Sequence, residues 1–255
     1  MGKGLLQTLF TGRNLIKLET TVSTNVYASE LLANSEPSEG TAIMAEYQQH
    51  GKGQRGTNWL SEFGINLLVS FLYYPRFLKP KEQFSLTAFA SLAVAETIEN
   101  FGAKKVAVKW PNDIFIGDSK VAGILIENFI RGDQILSSII GIGININQSN
   151  FPAFPVRATS ILLATGNTFD KNEVYEVLAN NLEKYYLGLK KGNNEAIMKK
   201  YENKLFRKNE FHNYENNGNI FTGKITGVDG EGLLNIQIDK NKLLKFDFKE
   251  IKFII

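Results

Sequence analysis

The sequence predicts a fold of mixed helices and strands that ends in a small all-β unit. Three observations predict it. Short β-like runs alternate with a few longer amphipathic segments over about the first 205 residues. From Asn209 onward only short alternating runs recur, punctuated by Asn217-Gly218 and Asp229-Gly230. At 255 residues, 43% hydrophobic and 22% charged, the chain lies in the ordinary globular range and allows one to two domains.

In order along the chain, 15–18 reads as a short apolar strand. Ser23 or Thr24 then caps a helix over 25–33, where Val26, Leu31 and Leu32 recur. Strands are expected at 41–47 and 66–73, separated by a Gly-rich polar stretch. Phe84, Leu86, Phe89, Ala93, Val94, Ile98 and Phe101 place a helix over 83–101. Strand-like pieces follow at 105–109, 114–116, 122–128 and 136–146, then amphipathic helices at 171–189 and 195–205. The last part offers four strands, at 220–225, 233–238, 243–246 and 251–255, which suggest a small β-barrel. That gives domains over 1–207 and 208–255.

Composition narrows the chemistry. There is no cysteine, which removes thiol catalysis, disulfides, Fe–S clusters and Cys-based zinc sites. The two histidines, His50 and His212, are far apart and form no His-x-x-x-His pair, which argues against a His-ligated metal or a Ser-His-Asp triad. The opening segment has no sustained apolar core of a signal peptide, and the longest apolar stretch, 65–74, is interrupted by Asn66 and Ser70. A soluble, cytosolic protein without a membrane partner is expected. Net charge is +3, with 23 lysines and 6 arginines spread along the chain. No basic run or patch of a nucleic-acid binder stands out, and the C-terminal part balances seven lysines with seven acids.

Four motifs carry candidate chemistry. Gly51-Lys52-Gly53-Gln54-Arg55-Gly56 matches the spacing of a dinucleotide turn. A polar, turn-rich stretch follows it where such a turn needs a helix, and no P-loop lysine is present. It reads either as an exposed hairpin loop or as a flexible loop whose amides and cations wrap an anion. Lys109-Trp110-Pro111-Asn112-Asp113 leads to Lys120 and an apolar Ala122-Gly123-Ile124-Leu125 run. Pro111 turns the chain off the strand path. Lys120 either points to water or, partly desolvated, neutralises a carboxylate or a developing phosphate charge. Gly141-Ile142-Gly143-Ile144-Asn145-Ile146-Asn147 places glycines in an apolar strand, a mark of a bulge or of close ligand approach. Asn145 or Asn147 is a candidate for an adenine edge. Thr21-Val22-Ser23-Thr24-Asn25 is a helix start that also offers hydroxyls to a ligand.

The order of these motifs is more specific than any one of them. Ser-Thr-Asn comes first, then Glu-Tyr-Gln-Gln-x-Gly-Lys-Gly-Gln-Arg-Gly, Trp, and Phe-Gly-x-Asn-Leu. Lys-Trp-Pro-Asn-Asp, Lys-x-Ala-Gly-Ile-Leu and Gly-Ile-Gly-Ile-Asn follow. This resembles the biotin–protein ligases, closely over about 14–165 and more loosely beyond. The resemblance implies an α+β catalytic domain related to class II aminoacyl-tRNA synthetases and lipoate ligases, followed by an SH3-like barrel. It implies that biotin and Mg-ATP, with Mg2+, give biotinyl-5′-AMP, whose acyl group passes to one lysine of a biotin carboxyl carrier protein domain.

The implied roles fall on matching positions. Ser23, Thr24 and Gln48 would bond the ureido ring of biotin, with Asn25 adjacent. Gly51, Lys52, Gly53 and Gln54, in the loop, would close over biotin and the adenylate. Lys120 would hold the carboxylate and phosphate oxygens, and Gly123 would lie against biotin. Trp59, Asn66, Asn112 and Asn145 would lie near adenine and ribose, with Arg55 and Lys109 near phosphates. Asp113 would orient Lys120 or help activate the acceptor lysine. Carboxylate attacking phosphate is anion meeting anion, so such a site needs cations and positioning more than a nucleophile.

Lys52 and Gln54 stand where the family often has arginine, which removes a bidentate fork and a charge. Only about 20 residues precede Ser23, too few for the winged helix-turn-helix of larger members, so a ligase that is not a DNA-binding repressor is expected. Competing readings are a lipoate or octanoate enzyme and a non-catalytic nucleotide- or anion-binding module. Monomer and homodimer remain equally open at this level.

Overall fold

The computed structural model describes residues 6–154, 156–239, 242–248 and 250–254. Its first seven strands are β1 (Leu15–Thr21), β2 (Ala42–Gln48), β3 (Leu67–Tyr73), β4 (Val106–Lys109), β5 (Asp113–Ile116), β6 (Ser119–Arg131) and β7 (Gln134–Ile144). They form one mixed sheet in the order β1-β2-β3-β7-β6-β5-β4. β1 and β2 run parallel, and the other neighbours are antiparallel. All the strands predicted in this part are present, with ends shifted by a few residues.

The helices are α1 (Thr24–Asn34), α2 (Phe84–Asn100), α3 (Ile161–Thr165), α4 (Lys171–Lys190) and α5 (Asn194–Asn203). α2 is apolar nearly all round because it lies between the sheet and α4, with Leu86, Phe89, Ala93 and Ile98 fully buried. On that face Phe71, Ile140, Ile142 and Ile144 point into the main core. The opposite face is covered only in part. There α1 lays Ala28 and Leu31 onto Ile43, Leu72 and Ile139. The five-residue α3 is too short to leave a periodic signal, and sequence reasoning missed it.

The C-terminal part holds β8 (Phe211–Asn216), β9 (Asn219–Val228), β10 (Leu234–Asp239), β11 (Lys242–Phe246) and β12 (Lys252–Phe253), in the order β11-β10-β9-β8-β12. The sequence suggested four strands in a barrel. The structure has five, and among the described residues the outer strands β11 and β12 do not pair, so the sheet is open. β12 has only two residues to offer a partner. β8 was missed because Phe-His-Asn-Tyr-Glu-Asn buries only Tyr214 fully. Asn217-Gly218 is the expected two-residue turn, with φ of 49° and 80° between paired Asn216 and Asn219. Asp229-Gly230 is not. Val228 pairs with Leu234 across a longer loop, in which Asp229 Oδ1 accepts from the backbone N–H of Glu231 (3.1 Å) and Leu233 (3.0 Å).

The second sheet packs onto the first. Trp110 Nε1 donates to the Gly232 carbonyl at 3.0 Å, and its ring meets Phe248 edge-on. Gly232, at φ 95°, lies against Phe84 so closely that a Cβ there would sit 2.3 Å from the ring. Among the described residues no helix is long and apolar enough to cross a membrane.

Candidate active site

The sheet face that α1 leaves uncovered is floored by glycines. Gly123 pairs with Gly143, and Leu125 with Gly141, across β6 and β7. The pairing is regular through both Gly141 and Gly143, so these glycines mark close approach rather than a bulge. A Cβ on Gly141 would fall 2.2 Å from Asn25 Oδ1, and one on Gly143 would fall 2.5 Å from the Trp59 indole. Above this floor lies a cavity of about 410 Å³.

Each wall comes from a different element. Ser23, Thr24 and Asn25 enter from the start of α1. Ser23 is the cap residue by backbone geometry, but its side chain makes no capping bond. Instead Thr24 N and Oγ1 both donate to Gln48 Oε1 at the end of β2, at 2.8 and 3.1 Å. Asn25 uses both amide atoms inside the protein, through Glu127 Oε2 (2.6 Å) and Ser70 Oγ (2.6 Å).

The loop after β2 contributes Lys52, Gly53, Gln54 and Trp59. Its middle is a single 3₁₀ turn, Gln54–Gly56, closed by Gly53 N to Thr57 O, and it leads to the antiparallel strand β3. No helix opens here, which excludes a dinucleotide turn. The side chain of Arg55 lies outside the described residues. Gly51 packs under Trp59, where a Cβ would meet its carbonyl oxygen at 2.5 Å, rather than facing the cavity.

The cations sit on the far wall. β4 and β5 form a hairpin in which Lys109 faces Asp113, joined through the cis Trp110–Pro111 bond. Lys120 Nζ is 2.6 Å from Asp113 Oδ1 and 5.6 Å from the centre of the Trp59 ring. Lys109 Nζ lies 4.8 Å from the Phe253 ring and 5.8 Å from Phe115. Burial lowers the Lys109 pKa below the ordinary lysine value. The Lys120 charge adds to that lowering, and Asp113 opposes it.

Asn112 lines the cavity while its amide donates to the Ile124 carbonyl, pinning the turn to β6. Asn145 lines it too. Its Nδ2 is bonded to Thr159 O at 3.0 Å, while its buried Oδ1 lacks a partner, as does the buried Nε1 of Trp59. Asn147 is used structurally, giving and taking a hydrogen bond with the Phe169 backbone. The structure does not bring Asn66 to the cavity. That residue is 1% exposed and bonds Ser61, Gln148 and the Ile146 amide.

Sequence reasoning missed two parts of the wall. Phe151, Phe154 and Val156 come from the loop before α3, which runs beside Lys120 through Lys120 N to Arg157 O and Thr159 N to Lys120 O. Phe248 comes from the C-terminal part. Two aromatics, Phe151 and Phe154, within a Pro-containing loop are the only local signal of the first. His50 is exposed, and His212 pairs with Glu210; neither touches the cavity.

Comparison with known proteins places this architecture. The biotin protein ligase of Aquifex aeolicus, solved in complex with biotin and ATP, superposes with a TM-score of 0.77 at 29% identity, covering 94% of this chain and 98% of that one. The fold is thus that of the protein-ligase class. The model of the biotin/lipoate A/B protein ligase family matches residues 18–145, and the chain belongs to that family. The bifunctional ligase/repressor BirA of Bacillus subtilis is 32% identical over 238 residues, 92% of this chain and 73% of that protein. The biotin–[acetyl-CoA-carboxylase] ligase of Paracoccus denitrificans is 32% identical over 168 residues, 64% of this chain and 68% of its own length.

Proposed function

We propose that this chain activates biotin with ATP and passes the biotinyl group to a lysine of a biotin carboxyl carrier domain. The observation that carries the reading is the pairing of Lys120, held by Asp113 at 2.6 Å, with a glycine-floored cavity whose other end carries Thr24 and Gln48. A bicyclic acid with a planar ureido ring fits a floor without side chains. Thr24 and Gln48 offer the ureido ring a hydroxyl and an amide nitrogen.

In the first half-reaction a carboxylate oxygen of biotin attacks the α-phosphorus of ATP. A P–O bond forms, the α–β bridge breaks, and pyrophosphate leaves. Lys120 has three N–H bonds; one goes to Asp113, which leaves two for the carboxylate and the phosphate. Lys109 supplies a second positive charge, and no oxygen among the described residues accepts a hydrogen bond from its ammonium. Such preplaced cations stabilise charge where it develops. The orphaned Asn145 Oδ1 suits an adenine amino group, and Trp59 Nε1 suits a ribose or phosphate oxygen. In the second half-reaction the acceptor amine attacks the acyl carbon and AMP leaves. A free lysine amine has a pKa of about 10.4 and must lose a proton first. Asp113 is the one carboxylate among the described cavity residues, so it is the group placed to take that proton.

Mg2+ would arrive on the triphosphate. The described residues contain no cluster of three metal-ligating side chains. The reading assigns catalysis to a domain ending near residue 207 and treats 208–255 as an SH3-like unit, here an open sheet, whose Phe248 completes the nucleotide end. It is tested by ATP–pyrophosphate exchange. Exchange that requires biotin, and that lipoate or octanoate does not replace, is the expected result. Exchange supported by lipoate alone would move the chain to the sister activity.

A further inference from the structure

Strand β3 reads Leu-Leu-Val-Ser-Phe-Leu-Tyr, and all seven residues are buried. Its one polar member, Ser70, is fully buried in the middle of the sheet. A hydroxyl there needs partners. It lies 2.7 Å from Thr24 Oγ1 and 2.6 Å from Asn25 Oδ1. The chain of contacts continues outward in both directions. Thr24 bonds Gln48 Oε1, and Asn25 Nδ2 bonds Glu127 Oε2 at 2.6 Å. Five side chains from four elements thus form one polar relay beneath the cavity.

Glu127 stands at its far end. It lies on β6, two residues beyond Leu125 and four beyond Gly123, so it shares their face, and it pairs with Ile139 where α1 closes the sheet. It does not line the cavity. An ionised carboxylate only accepts hydrogen bonds. It therefore turns the NH2 of Asn25 toward itself and the carbonyl oxygen toward Ser70. Ser70 and Thr24 have one hydroxyl proton each, so with Asn25 Oδ1 and Gln48 Oε1 both accepting, the three contacts share two protons. At the other end Gln48 Oε1 is committed to Thr24, and its amide nitrogen, beside Gly51, is left for a ligand.

We infer that Glu127 is a positioning residue for the biotin end of the cavity, acting through Asn25 and Ser70 on Thr24 and Gln48 without touching the ligand. This rests on the biotin reading above. It also recasts Asn25 as a support rather than a ligand contact, since both of its amide atoms are already used.

The test is steady-state ATP–pyrophosphate exchange on the full chain. Glu127→Leu is expected to raise the KM for biotin about tenfold or more, as loss of a charged hydrogen bond does, with the KM for ATP within about twofold of the parent. Asn25→Asp sets two carboxylates against each other and is expected to do the same. Adding Glu127→Gln to Asn25→Asp returns a donor facing an acceptor, and is expected to recover most of the lost affinity. A parental KM for biotin in Glu127→Leu would overturn the inference. So would a parallel rise in both KM values, or a swap pair that recovers nothing, including the case in which the Leu variant fails to fold. A parent that shows no biotin dependence would remove the reading of the cavity itself.

Discussion

The two halves of one sheet face have opposite designs. Under α1 the rows carry Ile16, Ile43, Leu72 and Ile139, and they bury them as a small second core. A few residues further along β6 and β7 the same face carries Gly123, Gly141 and Gly143, and the space is left as a cavity. Ile139 and Gly143 lie four residues apart on one strand and point the same way. Stability is built where side chains are present, and the site is built where they are withdrawn.

The largest effects should come from reversing that difference. Gly143→Val fills the floor, where even a Cβ would lie 2.5 Å from Trp59. Calorimetry should find biotin affinity reduced at least about a hundredfold, as steric exclusion from a close-packed floor requires, with the melting temperature changed less than by the next variant. Ile139→Ala makes the complementary cut. It should lower the unfolding free energy by about 2–5 kcal/mol in denaturant titration, and weaken biotin binding far less than Gly143→Val does. Equal loss of binding and stability in both variants would erase the distinction.

A finer contrast lies on the far wall. Lys109 has its pKa lowered, first by burial, so its charged form is disfavoured in the folded protein. A lowered lysine costs stability below its folded pKa, and the cost fades as pH rises toward the unfolded value of about 10.4. Lys109→Met keeps the methylene stem and removes the charge. At pH 7 it should raise the melting temperature by about 1–3 °C, a gain that shrinks at high pH, while weakening ATP binding. A variant that loses both would show Lys109 to be simply structural.

The smallest effect belongs to the second sheet. Burial pushes the Asp229 carboxyl up, but hydrogen bonds from Lys245 and from the Leu233 and Glu231 amides outweigh it, and its pKa ends below the ordinary value. Its contribution is present above the unfolded carboxylate range and is lost as pH falls through the lower, folded pKa. Asp229→Asn should therefore cost about 1–2 °C at pH 7, and the gap from the parent should close in acid. Thermal melts across pH 3–7 would show it.

What the sequence made legible follows the same division. Periodicity located every strand of the first sheet and the long helices, because burial on one or both faces leaves a pattern in the residues. The glycines at 141 and 143 stood out because they interrupt an apolar strand, and Gly123 entered through the resemblance. Long-range partners left no such mark. Ser70 was visible only as an interruption of an apolar run, and nothing singled out Glu127; their meeting through Asn25 depends on how β3, β6 and α1 are brought together. Asn66 sits in a motif that the resemblance placed by the nucleotide, yet its amide is fully used in bracing the chain at Ser61 and Gln148. Phe151 and Phe154 lie in a loop with no periodicity to interpret.

The central claim is that the withdrawn side chains leave room for biotin and that Lys120 receives its carboxylate. Calorimetric titration of biotin into the parent and into Lys120→Ala, with and without a non-hydrolysable ATP analogue, tests it most directly. The account predicts micromolar or tighter binding in the parent and clearly weaker binding in the variant. Absence of biotin binding in the parent under both conditions, or equal affinity in the two proteins, would contradict it.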